Sequence, residues 1–153
     1  MKTLFLVLAS AAALVLQTTV TIHGFSPALT TLVAYYVGIS SGAAKGTLFG
    51  SLLGMAEDSI SGGMIGPNLL GKGMIGLFSS FLSGGPFRWS PLLGTLALFI
   101  LTVLEGVLVF IVKGVYEAPP APPGRAALIL VLQGALNACA GVLIKPGGAD
   151  SHD

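Results

Sequence analysis

Twenty consecutive residues, Thr3 to Ile22, carry no charged side chain. Ser90 to Val112 holds a single one, Glu105, and Ala126 to Ile144 holds none. About 20 apolar residues in a helix cross the hydrocarbon layer of a bilayer. A chain that repeats such stretches has lipid as its natural solvent. Charge content points the same way: only 8% of the 153 residues are charged, against about 25% in soluble domains. Seven basic and six acidic side chains are too few to cover a soluble fold of this size.

Interruptions in the apolar pattern divide the chain. The first segment, Thr3–Ile22, follows a basic start like that of a signal peptide. Its apolar run continues past the usual length, so it reads as an uncleaved first span. His23 to Pro27 breaks it. The long stretch from Ala28 to Ala56 splits at Ser40-Ser41-Gly42 into two short helices, about Ala28–Ile39 and Ala44–Ala56. Glu57 to Gly63 is a polar, glycine-bearing interruption. A fourth helix opens near Gly66-Pro67-Asn68, where proline suits the first turn, and ends near Ser83 before Gly84-Gly85-Pro86. The fifth span is Ser90–Val112. The proline-rich loop Ala118–Gly124 precedes the sixth, Ala126–Ile144. The expected fold is an all-α membrane protein, a compact bundle of about six transmembrane helices in one domain, residues 1–145. A polar tail, 146–153, is expected to be disordered. With both ends in the cytoplasm, Lys2, Lys45, Arg88 and Lys145 lie inside and Lys113 and Arg125 outside, which follows the positive-inside bias.

Gly38, Gly42, Gly46, Gly50 and Gly54 recur every four residues, so within a helix they share one face. A side-chain-free face lets another backbone approach closely, which drives association in lipid. Packing within the chain is the simplest use of Gly46, Gly50 and Gly54, and a partner's helix the other. Gly134 and Ala138 repeat the pattern on the last helix.

Glu105 stands deep in the fifth span, where a lone carboxylate costs at least about 2.5 kcal/mol. It is expected to face the bundle interior or a polar cavity, and Lys72, Gln133 and Asn137 are its available intramembrane partners. Such a group either joins helices by hydrogen bonding or handles a proton or substrate. Glu57 and Asp58 end the third helix, where adjacent carboxylates cap a turn, face water or ligate a hard cation. No histidine or third carboxylate stands near them, and no metal or cofactor is expected. Cys139 in an apolar run reads as a small buried hydrophobe, and His23 and His152 as loop and tail residues. No nucleophile elbow, HExxH, P-loop or Rossmann fingerprint occurs. Gly71-Lys72-Gly73 lacks the strand before and the Ser or Thr after that a phosphate loop needs. With a net charge of +1 and scattered basic residues, no nucleic-acid surface is expected.

The stretch from Gly50 to Leu70 resembles the rod shape-determining protein family MreD. There a small-residue helix ends in an acidic residue, a glycine-bearing turn follows, and Gly-x-Asn/x-Leu opens the next helix. Gly50, Gly54, Asp58, Gly62, Gly66, Asn68 and Leu69 fall on matching positions, about a fifth of the chain. The resemblance implies a non-enzymatic subunit of the bacterial cell-elongation complex in the cytoplasmic membrane, binding the bitopic protein MreC and supporting lateral peptidoglycan synthesis. It also implies a fold similar to the S-components of energy-coupling-factor transporters, so a vitamin- or small-solute-binding S-component is the alternative. Such a site needs aromatic and polar lining, whereas Tyr35, Tyr36 and Trp89 are scattered. A holin-like pore would need a polar helix face, which none of the helices presents.

Overall fold

The computed structural model describes residues 2–19, 28–84, 90–116, 121–142 and 144. They form six helices and no strand: α1 (Lys2–Thr19), α2 (Leu29–Ser41), α3 (Ala43–Ser61), α4 (Pro67–Gly84), α5 (Pro91–Tyr116) and α6 (Pro123–Gly141). The expected tail 146–153, with Lys145 and His152, lies outside the described residues, as do His23, Arg88 and Trp89. α5 and α6 are long and apolar enough to cross a membrane. α2, with 13 residues, reaches only about 20 Å at 1.5 Å per residue.

The break expected at Ser40–Gly42 is present and abrupt. Gly42 has φ 84°, a left-handed value that glycine adopts without penalty. Its N–H closes α2 on the Gly38 carbonyl and its own carbonyl starts α3 by accepting from Gly46. Several boundaries differ from expectation: α5 continues past Val112 to Tyr116, and α6 ends at Gly141, short of Ile144. α3 does not end at Ala56 but runs through Glu57 and Asp58 to Ser61, because both carboxylates find partners inside the bundle. Gly62, at φ 67°, ends it in a left-handed cap. The loop expected through Gly124 ends sooner, since Pro123 and Gly124 already belong to the first turn of α6. Proline is tolerated there because its missing N–H would have no helical partner.

Consecutive helices run antiparallel, and cross-contacts fix the register. A methyl group added at Gly54 would overlap the Asn68 carbonyl, one at Gly50 the Lys72 carbonyl and one at Gly46 the Gly76 carbonyl. Each step of four on α3 is thus met by a step of four on α4, and the two backbones touch along the whole face. The glycine face is therefore occupied within the chain. Gly76 returns the contact, since a methyl there would strike the Gly46 carbonyl. On the other side of the bundle, Gly106 sits against Leu130, Gly134 against Phe99 and Val103, and Gly141 against Gly94 and Thr95. α4 lies centrally, packed on α2, α3 and α5, with α6 against α5 and α1 against α2.

Ala34, Tyr35, Ile39, Leu53, Ile75, Leu98 and Leu101 form the apolar core. The fully buried side chains also include Thr30, Thr31, Asp58, Lys72 and Ser79, while Phe5, Leu92, Leu128 and Val115 are 60–78% exposed. Several hydroxyls are satisfied within their own helix: Ser10 on Leu6, Ser40 on Tyr36, Ser59 on Met55 and Thr102 on Leu98. Such bonding to the preceding turn is ordinary for helical hydroxyls. Cys139, expected to be buried, is instead exposed on α6, with its thiol on the Ala135 carbonyl one turn back.

The α3–α4 contact leaves no room for a side chain. Gly54→Leu is expected to lower stability by about 1–3 kcal/mol, as overpacking does. Gly114→Leu, at a position with nothing within 4 Å, is the control. Thermal unfolding of the purified protein in one detergent should separate the two variants. Equal midpoints would show that α3 and α4 are not in backbone contact.

Candidate functional site

Two polar clusters are built around α4. The first fastens the α3–α4 turn. Asp58 lies one turn beyond Gly54 on the same face of α3, so its carboxylate meets the start of α4. Oδ2 accepts from the N–H groups of Gly66 at 2.8 Å and Leu69 at 3.2 Å. Oδ1 accepts from the Asn68 N–H at 3.2 Å and the Asn68 side-chain Nδ2 at 2.7 Å. The first N–H groups of a helix have no partner within it and carry its partial positive charge. Here a carboxylate from the preceding helix answers them while only 1% exposed. Gly66, at φ 150°, turns the chain so that these donors converge. Of the readings open for Asp58 from sequence, the cap is the one observed.

The second cluster is centred on Lys72. Its Nζ lies 2.8 Å from Glu57 Oε2 and 2.6 Å from Glu105 Oε1, with the lysine side chain 2% exposed. Glu57 also accepts from Gln17 Nε2 at 2.8 Å and from the Thr30 hydroxyl at 2.9 Å. Glu105 Oε2 accepts from the Thr31 hydroxyl at 2.6 Å. Gly71 makes this approach possible, since a methyl there would stand 2.9 Å from the Glu105 Cγ. One network therefore ties α1, α2, α3, α4 and α5 together. Asn137 adds α6 through Nδ2, which donates to the Thr102 hydroxyl and the Ala28 carbonyl, both at 3.2 Å.

Of the partners expected for Glu105, Lys72 is found on it, Asn137 bonds instead to Thr102 and Ala28, and Gln133 lines the adjoining cavity. Glu57 was missed as a member. Adjacent helical residues point about 100° apart, so Glu57 and Asp58 serve different neighbours and are not a pair. Thr30 and Thr31 were missed as well. Two threonines at the start of an apolar helix carry no signal of a partner 74 residues away.

Beside the cluster lies a cavity of about 340 Å³. Glu57, Lys72 and Glu105 form its polar floor, Val109, Phe110, Ile129 and Leu130 its apolar wall, and Ser61, Lys113 and Ala121 stand farther out. It opens at the end of the bundle where α3 finishes and α4 and α6 begin. Among the described residues, no three His, Cys, Asp or Glu side chains come together as metal ligands would. No family model, curated protein or solved structure matches the chain.

Proposed function

We propose that this chain is a multi-pass subunit of the bacterial cell-elongation complex in the cytoplasmic membrane, of the MreD type, and that its role is non-enzymatic. One observation carries the reading. Gly50, Gly54, Asp58, Gly62, Gly66, Asn68 and Leu69, the positions of the resemblance, all belong to one continuous unit: a glycine face, a turn and a carboxylate-capped helix start. With the glycine face used within the chain, this unit holds the turn rigid, and its exposed Gly62, Met64 and Ile65 are suited to meeting a bitopic partner such as MreC. The membrane setting is supported by the inverted distribution of side chains. Large apolar groups lie on the outside of α1, α3, α4, α5 and α6 while Asp58, Lys72, Glu105, Thr30, Thr31 and Ser79 are buried, and apolar cover of that extent suits lipid contact rather than water.

Deleting the gene in a rod-shaped bacterium that carries it should give round cells, and tagged protein should co-purify an MreC-like partner. The cavity favours a second reading, a small-solute S-component. Cells that stay rod-shaped on deletion and lose uptake of a solute would establish that reading and remove the first.

A further inference from the structure

We propose that the cavity binds an ethanolamine-phosphate group, with its ammonium on the Glu57–Glu105 floor and its phosphate toward Lys113. The proposal rests on the bundle being embedded in lipid and is independent of its protein partner. Charge is the first argument. Lys72 answers two carboxylates at once, so the buried trio carries one negative charge in excess. Buried charge is stable only when matched, and a cation entering the cavity would match it. Lys113 is the fourth charged residue of the lining. It lies eight residues along α5 from Glu105, about 12 Å by helical rise, toward the end of the bundle where α6 begins. The lining therefore offers excess negative charge within and a positive charge farther out, the complement of a zwitterion whose cation enters first.

Shape supplies the second argument. The cavity volume, about 340 Å³, falls within the range of about 300–1,000 Å³ common for small-molecule sites. Apolar side chains from α5 and α6, Val109, Phe110, Ile129 and Leu130, form part of its lining. Acyl chains attached to a bound headgroup would lie along them, so the favoured source is an ethanolamine phospholipid. A primary ammonium donates charge-assisted hydrogen bonds to carboxylates, which a trimethylated one cannot do.

The test uses the full chain, purified in detergent and titrated with phosphatidylethanolamine, phosphatidylcholine, phosphatidylglycerol or water-soluble O-phosphoethanolamine. Thermal midpoint and native mass spectrometry are the readouts. Phosphatidylethanolamine should raise the midpoint and remain bound at one per chain, while the choline and glycerol lipids should do neither. Lys113→Gln should weaken this binding about tenfold, the loss of one charge-assisted contact. Glu57→Gln should weaken it too. Because Glu57 also holds the buried network, Lys113→Gln, outside that network, decides. If soluble O-phosphoethanolamine gives the full shift, the chemistry stands and its source is a free solute. Equal response to choline and ethanolamine lipids, or unchanged affinity in Lys113→Gln, overturns the proposal. Neither result depends on cell shape or on MreC.

Discussion

Lys72→Met is expected to lower the unfolding free energy by about 3–5 kcal/mol, the usual result of leaving buried charge without its partner. Methionine keeps most of the length and apolar volume of the stem, so the loss reports the ammonium. The carboxylates of Glu57 and Glu105 would then face each other across a site where the lysine side chain was 2% exposed. Restoring neutrality separates charge from packing. In the triple variant Lys72→Met, Glu57→Gln, Glu105→Gln, no charge remains, and replacing a whole buried ion network is often nearly neutral. The triple variant should recover most of the loss. Equilibrium unfolding in mixed micelles would measure both. A loss below about 1 kcal/mol for Lys72→Met, the value of an exposed pair, would mean that water reaches the cluster and that it is not a structural centre.

The helices were legible wherever one property ran along the chain. Apolar runs marked α5 and α6, spacing by four marked the α3 face, and Ser40-Ser41-Gly42 marked a break that Gly42 makes with its positive φ. What was not legible depended on partners far away in sequence. Glu57 and Asp58 look like the polar end of a helix, and only the donors of α4 and the ammonium of Lys72 keep both inside it. Glu105 announced itself because a carboxylate in an apolar run needs a partner, and Lys72 was among those named. Thr30 and Thr31 did not, since a threonine is equally content bonding its own helix. The cavity had no local signature either. Its lining comes from α1, α3, α4, α5 and α6 and from Ala28 just ahead of α2, segments far apart in sequence.

Asp58→Ala should destabilise the protein by at least about 3 kcal/mol. The carboxylate accepts from three backbone N–H groups and from the Asn68 side chain. Removing it leaves several donors unanswered in a buried turn, each at about 1–3 kcal/mol, and removes a negative charge from the positive end of α4. Asp58→Asn distinguishes these contributions. Asparagine keeps the shape but has one accepting oxygen and no charge, so it should retain only part of the cap and fall between wild type and alanine. Hydrogen exchange locates the effect. Gly66, Asn68 and Leu69 amides should exchange faster in Asp58→Ala, while amides in the middle of α5 should change only as far as global stability falls. Co-purification then addresses function. An MreC-like partner lost from Asp58→Ala but kept by Gly54→Leu, with both measured at a temperature where each is fully folded, would place the partner contact on the turn itself. Loss from both in proportion to stability would mean that the turn acts only by keeping α3 and α4 in register. Unchanged stability together with unchanged exchange at Gly66, Asn68 and Leu69 would remove the cap from the account of this fold.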